Sequence, residues 1–302
     1  MRLGVTVAYA REKFNEFPTI DDYRNFIKWC SLNNFEGFEI AAFTEEHFNA
    51  EFLNKREKLK DLVRFYKDLG LVCDAFEAGF LRHMLIESSE EALKTLIENV
   101  KRCIDIALDL EAELIYAHTA PHPTWKIKWE RLYDEYTPPS YIAIPEDFSW
   151  ENSWRLYVNR VKRIVELVEN NDLLFALEIR PYEIISSSDL TCNLIREVDS
   201  KSFGLVFDTG HFFVQKEILP LAFEKLHENV FLIHLCDNDG CRDYHWAPGK
   251  GKIDWENFLR VVIKKFKYER FANIDVAGKY ADIGKEIIDG KDFILKILKE
   301  IR

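Results

Sequence analysis

Between Gly204 and Trp255 the chain reads GLVFDTGHF (204–212), FLIHLCDNDG (231–240) and DYHWAPGKGKIDW (243–255). Two apolar runs of strand length end on the polar side chains Asp208 and His234, and the segments after them carry His211, Asp243 and His245. Apolar runs bounded by turn residues fit strands buried on both faces, the habit of parallel sheets. The pattern recurs along the chain, with Glu178 closing LLFALE and Asp275 closing FANID; Glu39 and His118 stand near the ends of two further runs. Buried acids and imidazoles are costly unless paired or bound to a cation, and they are ligand types for divalent metals.

Outward from this stretch, strands and helices alternate. Strands are expected at Leu3 to Val7, Phe38 to Ile40, Leu71 to Ala75, Leu114 to Ala117, Leu173 to Glu178, Phe203 to Asp208, Val230 to Leu235 and Phe271 to Asp275. A polar loop is expected from Arg11 to Pro18, then a helix capped by Thr19 with Asp22, burying Tyr23, Phe26, Ile27 and Cys30. Further helices are expected at Asn54 to Leu69, Trp154 to Glu169, Asp189 to Val198, Glu217 to His227, Trp255 to Phe266 behind an Asp254 cap, and Ile287 to Ile301. Ser88 and Glu91 read as a capping box for a long helix with Leu93, Leu96, Ile97, Val100, Ile104, Ala107 and Leu108 on one face. Eight strands with helical crossovers predict an α/β fold, a (β/α)8 TIM barrel in one domain over residues 1–302, with its site at the C-terminal strand ends. His122 to Trp150 interrupts the period after the fourth strand. Rich in Trp, Tyr and Pro, with Trp125, Trp129, Tyr133, Tyr136, Pro138, Pro139 and Tyr141, it is expected as a lid or substrate-shaping insertion, or as a contact in a homo-oligomer, because a structureless loop of this length is unusual in a compact domain.

The 302 residues are 47% hydrophobic and 31% charged, with a formal net charge of -11, which argues against nucleic acid as a partner. No run reaches the roughly 18 apolar residues of a membrane span. Six dispersed cysteines and the start MRLGVTVAYA suggest a reducing, cytoplasmic setting, with Cys236 and Cys241 as reduced structural residues. Gly249 and Gly251 in PGKGKIDW read as a tight turn, not as a phosphate loop. His47, His83 and His227 lack a strand-end position and read as surface or packing residues. A mixed carboxylate and imidazole shell favours Mn, Zn, Co or Fe over an all-oxygen Mg or Ca site.

The order of Glu178, the D-x-x-H from Asp208 to His211, His234, the D-x-H from Asp243 to His245, and Asp275 resembles the xylose-isomerase-like superfamily of TIM barrels. That superfamily holds sugar isomerases, epimerases, inositol-pathway enzymes and endonuclease IV-type enzymes. The resemblance implies that Glu178, Asp208, His234 and Asp275 hold one divalent ion and that Glu178 and Asp275 form the acid and base pair. It also implies that His211 touches substrate or a second metal, and that Asp243 and His245 correspond to a further metal element in the endonucleases. Asp275 departs from the family's usual Glu. Glu39, His118 and Arg180 are candidates for substrate contact, with Glu39 alternatively orienting a ligand, His118 binding a second metal or hydrogen-bonding within its loop, and Arg180 pairing with Glu183.

The expected function is a metal-dependent isomerase or epimerase of a small sugar or polyol-derived ketone, through an enediolate-type intermediate. The alternatives are an apurinic endonuclease-like phosphodiesterase, an inosose-type dehydratase, or a non-catalytic metal-binding barrel.

Overall fold

The computed structural model describes residues 1–128 and 139–301. Its strands are β1 (Arg2–Val5), β2 (Gly37–Ala42), β3 (Val72–Ala78), β4 (Leu114–His118), β5 (Lys126–Lys128), β6 (Tyr141–Ala143), β7 (Leu174–Glu178), β8 (Phe203–Asp208), β9 (Val230–Leu235) and β10 (Phe271–Ile274). All but β5 and β6 close into a parallel barrel in chain order, with β10 pairing back on β1. Helices occupy the crossovers and pack their apolar stripes on the outside of the strands. Among the described residues no helix is long and apolar enough to cross a membrane.

Alternation along each strand explains why the site forms at one end. Side chains two apart share a face, so the interior is written as Leu174-Ala176-Glu178, Val206-Asp208, Leu232-His234, Phe271-Asn273-Asp275, Ala75-Glu77 and Leu114-Tyr116-His118. The apolar members of these rows form a cluster of their own inside the barrel. The polar members follow at the C-terminal ends. Parallel register then sets them side by side, with His118 opposite Glu178 and Asp208 opposite His234. Between strands and helices, Phe26, Phe38, Phe52, Phe76, Phe175 and Phe207 are fully buried.

Several elements differ from the sequence expectation. The first strand stops at Val5, and part of the expected polar loop is a helix, Ala8–Lys13. Thr19 and Asp22 do form the capping box. The long helix is capped one residue later than expected, by Ser89, and Leu108 is exposed because Ile106 and Ala107 take the buried face. An extra helix, Thr209–Val214, starts at Asp208, whose carboxylate accepts the His211 amide. The helix begun at Trp255 passes into a π-helical turn at Val261–Lys265.

The described part of the insertion has structure of its own. β5 and β6 pair as an antiparallel ribbon with Ile127 opposite Ile142, and His122, Trp125 and Phe148 cluster with ring centroids 5.0–6.2 Å apart. Trp150 stacks on Trp154 where the next helix begins, four residues earlier than expected. Trp129, Tyr133, Tyr136 and Pro138 lie outside the described residues.

The segment after β9 is held by one carboxylate. Asp237, fully buried, accepts the amides of Asn238 (2.9 Å) and Ile253 (3.2 Å) on Oδ1, and the Gly249 amide (2.9 Å) and Trp255 indole (2.8 Å) on Oδ2. Its backbone pairs with Trp246 in both directions, closing a loop that carries Asp243 and His245. The expected tight turn is present for a clear reason. Gly249 adopts φ +90°, and a Cβ on Gly251 would lie 2.2 Å from Asp237 Oδ1. Replacing Asp237 by Ala strands these donors, so urea unfolding should show a loss of ~3 kcal/mol; an unchanged midpoint would remove Asp237 as the anchor of the loop.

Candidate metal centre

Glu178, Asp208 and His234, from three consecutive barrel strands, bring one ligand atom each within 4.8 Å of the others. His234 Nδ1 lies 3.5 Å from Glu178 Oε2 and 3.9 Å from Asp208 Oδ2. The other nitrogen of His234 is fixed from below, with Nε2 2.9 Å from Glu39 Oε1. Glu39 is itself held by the Asn273 amide at 2.5 Å and the Tyr116 hydroxyl at 2.7 Å. With its proton on Nε2, His234 turns an acceptor Nδ1 towards the two carboxylates, the arrangement of a ligating histidine oriented by an acid. Glu39 therefore sits beneath the cavity and acts on His234.

A second set adjoins the first. His211 Nε2 donates to Glu178 Oε1 at 2.9 Å, while His211 Nδ1 lies 2.7 Å from Asp243 Oδ2. His245 Nε2 is 4.0 Å from the same oxygen. His211 Nδ1, both Asp243 carboxylate oxygens and His245 Nε2 are buried without a directed hydrogen bond. Close, off-axis approach of donor atoms resembles ligands facing a common ion more than a hydrogen-bonded pair.

Asp275 stands apart from Glu178 and His234. Its Oδ1 accepts the Thr6 hydroxyl at 2.6 Å, and its Oδ2 pairs with His245 Nδ1 at 2.6 Å. It groups with Asp208, Cys236 and His245. The Cys236 thiol approaches Asp208 Oδ1 at 3.3 Å, whereas Cys241 is exposed.

Electrostatics follow from burial and proximity. Burial works to raise the Glu178 carboxyl, yet His118, His211 and His234 overrule it and hold it well below the usual range. Burial alone would lower the imidazoles, but Asp208 and Asp243 raise His211, Glu39 raises His234, and Asp275 raises His245 to about 9. In the absence of an ion, protons on these rings balance the carboxylates. A divalent cation would balance the same charges, and the donor set, carboxylate and imidazole with fixed outer partners and orphaned buried atoms, fits such an ion.

Above these groups lies a cavity of about 260 Å³, whose walls include His118, Arg180, Tyr244 and Trp246. Glu183 pairs with Arg82 and accepts the Thr119 hydroxyl, and Arg180, its expected partner, also lies close enough to oppose the rise that burial imposes on its carboxyl. None of the described residues of 122–150 lines the cavity. Residues 27–297 match the family model of the xylose isomerase-like TIM barrel. The chain belongs to that family.

Over 206 residues it is 24% identical to the fructoselysine 3-epimerase of Shigella flexneri, a match that spans 67% of this chain and 66%, just under two thirds, of that relative. Among solved structures, a D-tagatose 3-epimerase-like protein superposes with a TM-score of 0.76 at 19% identity, covering 100% of this chain and 98% of the other. The IOLI protein with a binding zinc atom gives 0.74 at 16% identity, covering 100% and 99%. At these identities the structural likeness speaks for the fold alone.

Sequence reading missed Thr6, Tyr116 and Asn273, and read Cys236, which groups here with Asp208, His245 and Asp275, as structural. Tyr116 and Asn273 were discoverable, since each lies two residues before a singled-out residue, His118 or Asp275, on the same strand face.

Two outcomes are expected. Replacing Asp208 or His234 by Ala should weaken divalent metal binding at least tenfold in calorimetric titration while the barrel stays folded; wild-type affinity in both would remove these residues as ligands. In chelator, the His245 and Asp275 pair should stabilise the fold fully below the unfolded histidine pKa of about 6.5, and that contribution should fade as pH rises through about 9. The thermal midpoint gap between wild type and His245→Gln should therefore close between pH 7 and 10; a gap independent of pH would contradict the pairing.

Proposed function

We propose that the protein is a divalent-metal-dependent epimerase or isomerase of a small polyhydroxylated ketone, acting through an enediolate. The observation that carries this reading is the Glu178, Asp208 and His234 group, of which Glu178 and His234 wall a cavity of sugar size, with a further carboxylate, Asp275, facing the same space. The 3-epimerase names of the relatives agree with it, and so does the zinc of the IOLI protein.

An ion held there would polarise a substrate carbonyl and stabilise the oxyanion that develops on it. Glu178, kept ionised by its imidazole neighbours, removes the proton alpha to that carbonyl. Asp275, hydrogen-bonded to His245 and Thr6, faces the site from β10 and takes part in proton return, with His245 as its proton-bearing partner. Arg180, buried in the wall, and His118, 3.3 Å from Glu178, orient the hydroxyls. Tyr244 and Trp246, stacked at 4.4 Å, give the sugar an apolar face.

A second reading rests on the His211, Asp243 and His245 set. A further ion there would suit phosphodiester hydrolysis, in which several metals activate water and stabilise the leaving oxygen. The net charge of -11 weighs against a nucleic-acid substrate.

Deuterium entry from solvent into ketoses and cyclic ketones, followed by NMR with added Mn²⁺, tests the choice. Wild type should exchange the alpha proton, Glu178→Gln should lose at least ~10²-fold, and Asp275→Asn should lose epimerisation more than exchange. No exchange on any ketone, together with metal-dependent incision of abasic DNA, would reject the isomerase reading for the hydrolytic one.

A further inference from the structure

Glu77 is a polar residue of the cavity that the mechanism above leaves unused. It closes the inward row of β3, is 4% exposed, and lines the cavity. Its Oε1 has no hydrogen bond. The imidazole nitrogen His118 Nε2 is 3.4 Å away and is shared with Glu178, whose Oε2 it approaches at 3.3 Å. Oε2 fares little better, because the Tyr116 hydroxyl that approaches it at 3.3 Å has one proton and lies closer, at 2.7 Å, to Glu39. Space beside Oε1 is kept by Gly79, where a Cβ would come within 2.9 Å of that oxygen. A buried carboxyl oxygen without a hydrogen bond is destabilising on its own account, and Glu77 is one of the residues that line the ligand-sized cavity.

We propose that Glu77 is a substrate-binding residue that takes a hydroxyl of the ketone beyond the carbon whose proton is exchanged. The placement follows from the wall itself. One imidazole, His118, separates Glu77 from Glu178, so a substrate whose reacting carbon lies at Glu178 passes its remaining chain along β4 and β3. A hydroxyl suits this site better than an ammonium. Burial pushes the Glu77 carboxyl up, against the pull of His118, and a hydroxyl can donate to the ionised form or accept from the neutral one, whereas an ammonium needs the ionised form alone. Glu77 thereby selects among sugars by the presence of that hydroxyl, since a site built to hydrogen-bond a group discriminates strongly against analogues that lack it.

The assignment rests on the ketone reading of the cavity, and equilibrium binding separates the two. The probes are the D-ketohexoses, the 4-, 5- and 6-deoxy analogues of whichever binds best, and its 1-amino-1-deoxy derivative, titrated into Mn²⁺-loaded wild type, Glu77→Gln and Glu77→Ala. For the parent sugar, Glu77→Ala should weaken binding about tenfold, with Glu77→Gln intermediate because it keeps an acceptor. One deoxy analogue should bind wild type and Glu77→Ala alike, while the other analogues show the full tenfold gap. Equal loss on every analogue, as a merely structural role would give, overturns the contact, and so does wild type binding none of the ketohexoses. Tighter binding of the amino sugar that disappears in Glu77→Gln overturns the hydroxyl in favour of an ammonium. A ketohexose that binds with the expected pattern but shows no deuterium exchange supports the Glu77 contact while rejecting the epimerase reading.

Discussion

An ionised carboxylate in a place with little water is tolerated only when positive charge surrounds it, and Glu178 is that carboxylate here. Only 5% exposed, it meets His211 on one oxygen and faces His118 and His234 with the other. Each of those rings needs a further partner to hold its angle. His234 finds Glu39, and His211 finds Asp243. Removing any one acid leaves an imidazole to reorient, and removing an imidazole leaves buried negative charge unbalanced, which is far more costly than losing a surface pair. The rim therefore behaves as one electrostatic unit, and its members are best compared by double-mutant cycles.

That unit depends on strands that agree in height. Asp208 lies opposite His234 and His118 opposite Glu178 because parallel register carries each row to the same level. The register is not uniform. It shifts between Phe38 and Glu39 and between Leu205 and Val206. The first shift sits at the residue that must reach His234 Nε2 across the barrel.

Strand existence and the polar ends were legible because a parallel strand buried on both faces is a short apolar run, and a polar residue at its end is conspicuous. Glu178, Asp208, His234 and Asp275 stood out for that reason. Glu77 was given no role, because the third strand was expected to stop at Ala75, and hydrogen bonding to β2 through Ala78 extends it by amounts that local propensity does not encode. The cap at Ser89 was confused with Ser88, since adjacent serines offer the same chemistry and only the incoming chain direction chooses between them. Asp237 was invisible as an anchor. Its partners lie up to 18 residues away and are mostly backbone amides, which leave no mark on residue type.

The Asp237 loop has a consequence for how an ion would be captured. Asp243 and His245 ride on a segment whose ends are tied by backbone groups and a buried carboxylate, and the Ala277 amide ties the His245 carbonyl to the chain after β10. The conformational entropy of that segment is surrendered when the chain folds, not when a cation arrives. An ion taken up at His211, Asp243 and His245 would then fill a rigid chelator, and its exchange would be governed by proton release and dehydration and little by movement of the protein.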